Sequence, residues 1–168
     1  MLKPLAEIIL NSKIAKGSLN RNKQFLPWDK IKTVALVLNS TDKINKSAID
    51  KFVEGTGKLV SVFYIEPTSK TATYSDWQCL SKKDRTFLGL PHSKFLHQVK
   101  DKKFDLVINT SPETDLFSAA LTAALTATLK CGGGKKYGEL DLIIQKADPY
   151  HVIDYLNEVI KYLKMIRA

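Results

Sequence analysis

The stretch from Lys102 to Asp115 constrains the fold of this chain more than any other. It reads Lys-Lys-Phe-Asp-Leu-Val-Ile-Asn-Thr-Ser-Pro-Glu-Thr-Asp and leads into an alanine-rich apolar segment. The order is that of a short buried strand at 104–108, a polar turn, and a helix from about Asp115 to Thr126 carrying Leu116, Phe117, Ala120, Leu121, Ala124 and Leu125. Hydroxyl and amide side chains therefore fall at the carboxyl end of a strand, where open α/β sheets carry their ligands.

The same grammar recurs upstream. Thr33-Val-Ala-Leu-Val-Leu38 is continuously apolar rather than alternating, as expected for a strand buried on both faces of a parallel sheet. It ends in Asn39-Ser40-Thr41-Asp42, and a helix with Ile44, Ala48, Ile49, Phe52 and Val53 follows, closed by Gly55 and Gly57. Leu59–Ile65 is the next strand, so the spacing is that of a βαβ unit with a right-handed crossover. Further strands are expected at 127–131 and 140–144, and a short helix at 93–100. A final helix carries Val152, Ile153, Leu156, Val159, Ile160 and Leu163, with Asp148 as its cap and Pro149 in its first turn. Residues 67–92 are too long for a bare connection in a compact domain, so they are functional or hide a short element. The expectation is an α/β fold: one three-layer, doubly wound domain over 31–168, Rossmann-like or flavodoxin-like, with about five mainly parallel strands.

Residues 1–30 stand apart as a basic helical arm and linker. Residues 4–15 predict an amphipathic helix, and 17–29, with Gly17, Asn20, Asn22 and Pro27, predict a linker. Six bases (Lys3, Lys13, Lys16, Arg21, Lys23 and Lys30) face only Glu7 and Asp29 there, within a chain of net charge +9. Such an arm could meet RNA or an anionic membrane surface; docking on the domain is the preferred reading. Glu7 interrupts the first apolar run, no cleavage site follows, and no segment approaches the roughly 18 apolar residues of a membrane span. Cys79 and Cys131 lack any ligand spacing and are expected as reduced thiols. A cytoplasmic protein without a transmembrane segment is the expectation.

Three loops are expected to gather at the carboxyl edge of the sheet, and they supply the candidate ligand-binding residues. These are Asn39, Ser40 and Thr41; Asn109, Thr110 and Ser111; and Gly132, Gly133, Gly134 and Lys135. The first two loops precede helix N-termini, whose amides and positive dipole end favour an anion. The third offers glycine amides followed by Lys135 and Lys136. The structural alternative is that Ser, Thr, Asn and Asp here are ordinary caps, and it is preferred. Neither GxGxxG nor GxxxxGK[ST] occurs. No catalytic set and no metal cluster is evident: His92, His97 and His151 are scattered, and Thr110-Ser111-Pro112 is not a nucleophile elbow. Cys131 reads as a small strand residue rather than a reactive thiol, and Asp105 and Asp141 lie early in their strands, away from the candidate loops. Trp77, Phe87 and Lys82-Lys83-Asp84-Arg85 put aromatics among bases, but no RNA-binding signature accompanies them, so nucleic acid is the weaker partner.

Ser81-Lys82-Lys83-Asp84, Phe87-Leu88-Gly89-Leu90-Pro91 and Phe104–Ser111 together resemble a small bacterial family known only as a domain of unknown function. The resemblance runs from about residue 1 to the last helix. It implies a cytoplasmic, Rossmann-like protein and brings no catalytic residues and no cofactor. Gly132-Gly133-Gly134 departs from the charged or bulky continuation expected of that family. The strand Phe104–Ser111 is also similar to one lobe of sugar-transferring glycosyltransferases, whose second lobe this chain is too short to supply. The expected function is binding, of a protein partner, a second copy, a small anion or a nucleotide-like ligand at the strand ends. The alternative is a small transferase-like enzyme using Ser111, Glu113 or Asp42 in the same crevice.

Overall fold

The computed structural model describes residues 2–66, 68 and 74–167. Its elements run α1 (Leu2–Leu19), β1 (Thr33–Asn39), α2 (Lys46–Thr56), β2 (Leu59–Ile65), β3 (Gln78–Leu80), α3 (Ser93–Val99), β4 (Lys103–Asn109), α4 (Leu116–Ala124), β5 (Thr126–Gly132), β6 (Leu142–Ile143) and α5 (Val152–Met165). All six strands pair in parallel, in the order β3-β2-β1-β4-β5-β6. The chain winds outward in one direction from β1, then returns to β4 and winds outward in the other. That is the doubly wound order, with its reversal between β1 and β4.

The continuous apolar runs are explained by burial on both faces. Val34, Leu36 and Leu38 of β1, with Leu106 and Ile108 of β4, pack on one face beneath Ile49 of α2 and Leu156, Val159 and Leu163 of α5. Ala35, Val37 and Val107 point the other way, toward Phe95 of α3 and Phe117 and Leu121 of α4. Each large aliphatic side chain so buried contributes about 1.5–3 kcal/mol relative to exposure. α1 lies outside α4 as a further layer. Its Ala6 and Leu10 are fully buried against Ala119, Ala120 and Tyr137, and Lys136 pairs with Glu7 at 3.4 Å. Leu2, Leu5 and Ile8 of α1 stay exposed. No helix among the described residues is long and apolar enough to cross a membrane.

The structure revises several boundaries. α1 continues through Gly17 to Leu19, where a linker was expected; a Cβ on Gly17 would stand 4.0 Å from the Ala123 carbonyl oxygen, an ordinary contact. The 67–92 segment hides an edge strand, β3, and its Trp77 is buried against Tyr64 and Tyr74. The last helix begins at Val152, three residues after Pro149. Tyr150 is held against Tyr155 (ring centroids 5.8 Å) and beneath Lys146 (4.4 Å), which keeps the chain extended through His151. Asp148 is therefore not its cap, and the Asp148–Pro149 peptide is cis.

One buried charge ties two layers together. Lys130 of β5 is 4% exposed, and its Nζ donates to the Thr122 and Ala123 carbonyls at 2.7 and 3.0 Å, at the negative end of the α4 dipole. Burial, reinforced by the nearby Arg21 charge, lowers its pKa to about 8 from the ordinary 10.5. Between those two values the unfolded chain holds a proton that the folded chain lacks, so raising the pH there favours folding. In urea unfolding, the stability of the wild-type protein should rise relative to Lys130→Met from pH 8 to pH 10.5, by on the order of 2–3 kcal/mol. A wild-type-minus-variant difference that stays flat across that range would contradict the assignment.

Candidate functional site

The reversal of winding leaves a crevice outside the carboxyl ends of β1 and β4. The turns after these strands are bound to each other. Asn39, at the end of β1, accepts from the Thr41 amide through Oδ1 at 3.0 Å and donates through Nδ2 to Asp115 at 2.7 Å. Asp42 closes a capping box by accepting from the Asn39 amide at 3.2 Å, and accepts from the Thr110 hydroxyl at 2.7 Å. The Thr110 amide reaches back to the Val37 carbonyl at 3.0 Å. Asn109 Oδ1 accepts from the Ser111 amide at 2.9 Å. Two side-chain bonds, Asn39–Asp115 and Asp42–Thr110, thus stitch the first loop to the second.

An open cleft of about 540 Å³ lies over this seam, walled by Thr41, Asp42, Ser111, Glu113, Lys146 and Tyr150 among others. Burial raises the Asp42 pKa against the opposing hydrogen bond from Thr110. Lys146 Nζ donates to the Thr110 carbonyl and, at 3.2 Å, to the Ser111 carbonyl, while burial lowers its pKa. The Tyr150 hydroxyl lies beside Asp42 and Thr110 without making a hydrogen bond of normal geometry, and burial pushes its pKa up. Ser111 is 3% exposed and its hydroxyl has no partner among the described residues.

The candidate residues meet different fates. Thr41 and Ser111 wall the cleft, Asn39, Asn109 and Thr110 are consumed in holding the loops, and Ser40 opens the capped 3₁₀ turn between β1 and α2. The helix N-termini are also occupied from within: Asp115 accepts from the Phe117 and Ser118 amides, and Asn45 from the Ala48 amide. The glycines serve close packing. A Cβ on Gly132 would stand 2.7 Å from the Asn109 carbonyl oxygen, and one on Gly134 would stand 2.8 Å from the Glu113 Cβ. Gly133 faces only the flexible stem of Lys146 and lines the cleft. The Lys135 amide donates to Glu113 at 3.3 Å.

Asp42, Ser111 and Glu113 do converge on one cleft. Gln145, Lys146 and Tyr150, further polar walls of the cleft, were missed in the sequence. The available signal was the run Ile143-Ile144-Gln145-Lys146, since a base just past an apolar strand reaches the same carboxyl edge. Elsewhere, His92 caps α3, His97 lies exposed within it and His151 lies exposed ahead of α5. Cys131 is fully buried, which pushes its thiol pKa up and makes it unreactive. Trp77 is buried while Phe87 is 82% exposed, so the aromatics around Lys82 and Lys83 form no common platform. No group of three metal-ligating side chains occurs among the described residues.

The packing role of the glycines is testable. Gly132→Ala should lower stability by about 1–3 kcal/mol, because backbone atoms must move. Gly133→Ala should cost about 0.5 kcal/mol or less, because a lysine stem can shift. Equal denaturation midpoints for the two variants would refute this account.

No curated protein and no solved structure matches the chain significantly. A family model does, across residues 4–166, from α1 through α5. The chain belongs to the family of unknown function DUF6913.

Proposed function

We propose that this chain is a small-molecule binding module whose ligand occupies the cleft between β1 and β4 and presents hydroxyl groups to Asp42 and Glu113. The observation that carries the reading is the chemical balance of that cleft. Among the described residues two carboxylates wall it, and the ammonium of the one cation there, Lys146, is already directed at the Thr110 and Ser111 carbonyls. Acceptors therefore outnumber available donors. A phosphate would meet Asp42 where it needs amides, whereas the hydroxyls of a sugar or of a nucleoside ribose would donate to that carboxylate. The Ser111 and Tyr150 hydroxyls, both without partners, add two groups that can donate or accept. The position supports the same reading, since open α/β sheets bind ligands at the point where the winding reverses. The resemblance to a Rossmann-like family suggests a cytoplasmic setting, and the surplus of basic residues is spread outside the cleft.

A second reading, a transferase-like enzyme, is favoured by the convergence of Asp42, Ser111 and Glu113 on one cleft. Against it, Ser111 Oγ touches no base, and Asp42 Oδ2 is committed to Thr110 and to the Asn39 amide, which leaves Oδ1 to accept from a ligand hydroxyl. General base catalysis needs a base within hydrogen-bond reach of the proton it takes.

Thermal denaturation with adenosine, ribose, glucose and inorganic phosphate separates these possibilities. A hydroxyl-bearing probe should raise the melting temperature saturably while phosphate does not. Asp42→Asn should weaken that probe by about tenfold, the loss of one charge-assisted hydrogen bond. Stabilisation by phosphate alone would overturn the reading in favour of an anion site. Turnover of a sugar nucleotide that is abolished in Ser111→Ala would favour the enzyme.

A further inference from the structure

A second polar cavity lies on the far side of β5, where the end of α1, the end of α4 and residues 138–141 meet. It has a volume of about 210 Å³ and shares no lining residue with the switch-point cleft. Its charged lining is Arg21, Lys23, Lys130, Glu139 and Asp141. The Arg21 guanidinium pairs with Asp141, Lys23 Nζ stands 3.5 Å from the same carboxylate, and Asp141 also accepts from the Lys130 amide at 2.8 Å. Asp141 is thereby saturated, and Lys130 is spent on the carbonyls that end α4.

Two buried groups are left over. Glu139 is 8% exposed, and its Oε2 is shielded from solvent with no hydrogen-bond partner among the described residues; Arg21 Nε is likewise shielded and unpartnered there. A buried carboxylate oxygen without a donor has lost its hydration with nothing in exchange. Native proteins hold few such groups, and each calls for a partner. The partner must donate to Glu139 and accept from Arg21. It must also suit a lining in which three cations face two carboxylates, a surplus of one positive charge. The space is that of roughly seven water molecules at ~30 Å³ each, enough for an acid of a few carbons.

We propose that this cavity is a second ligand site, taking a small carboxylate that carries a hydroxyl or amino group, with the acid directed to Arg21 and Lys23 and the donor to Glu139. Such a ligand satisfies both orphaned groups at once; a hydroxy acid also cancels the surplus charge, and an amino acid sets its ammonium against Glu139 and its carboxylate against the cations. A simple fatty acid leaves Glu139 unpaired, and a polyol leaves the charge uncompensated. Because α1 supplies Ile14, Gly17 and Ser18 to the wall, occupancy also fastens the first helix to the body of the domain.

Titration of the uniformly 15N-labelled full chain tests this with glycerate and L-serine as probes, propionate as the acid without a donor, and glycerol as the donor without charge. Glycerate or serine should shift the amides of Arg21 and of residues 138–141 saturably at millimolar concentration. Its affinity should exceed that of propionate and of glycerol by about tenfold, roughly 1.4 kcal/mol. Glu139→Gln should erase that advantage while leaving the amides of Asp42 and Tyr150, on the far wall of the switch-point cleft, unchanged. If neither glycerate nor serine shifts these amides, the cavity holds solvent only and the proposal fails. It fails equally if all four compounds act alike, or if the shifts fall at Asp42 and Ser111 instead. Should Glu139→Gln not fold, the four-probe comparison on the wild-type chain decides alone.

Discussion

Everything in this molecule depends on the pairing of β1 with β4. Val34 lies beside Leu106, Ala35 beside Val107 and Leu36 beside Ile108 in parallel register, and these residues are almost wholly buried. Neither strand has a solvent face, so a one-residue slip would exchange the side chains offered to α2 and α5 with those offered to α3 and α4. At the amino edge, Asp105 accepts from the Lys32 and Thr33 amides at 2.7 and 3.0 Å while its own amide donates to the Thr33 hydroxyl oxygen at 2.9 Å. At the carboxyl edge, Asn39–Asp115 and Asp42–Thr110 do the equivalent. The register is pinned by hydrophobic burial along the strands and by side-chain hydrogen bonds at both ends.

That fastening determines what remains for chemistry. A doubly wound sheet makes a crevice at its reversal for topological reasons, but most of the polar groups around this crevice are occupied in making the fold. The capping residues neutralise the helix N-termini from within, and the glycines are filled by the loop opposite. What survives is a shallow, carboxylate-rich cleft with two unpartnered hydroxyls. The cavity behind β5 is the opposite case: there the polar groups outnumber the partners that the chain itself provides.

The fold was largely legible in the sequence because its signals are one-dimensional. Runs such as Val34–Leu38 and Leu106–Ile108 announce burial on two faces, and the helical spacing of Val152, Leu156, Val159 and Leu163 announces α5. Elements whose definition is three-dimensional were not legible. Gln78–Leu80 is a strand only because β2 lies beside it, and its composition carries no alternation. Pro149 looks like a helix start until Tyr150 is seen held by Tyr155 and Lys146. The loops of the cleft were found by position. Their hydrogen bonding was hidden, because the same Asn, Thr and Asp side chains serve a ligand or a neighbouring turn with equal ease. Lys146 carried only its position just past an apolar strand, and Glu139 carried no signal, because their importance lies in what they do or do not touch.

The two margins of the sheet differ sharply from its centre. β1, β2, β4 and β5 are seven residues long, but β3 has three and β6 only two. A long exposed edge strand is a template on which another chain can add itself, and short margins remove most of that template. This architecture therefore discourages growth of the sheet across molecules, in fibrils or by capture of an extended peptide. The surface left over consists of helices and loop ends, where side chains rather than backbone groups face outward.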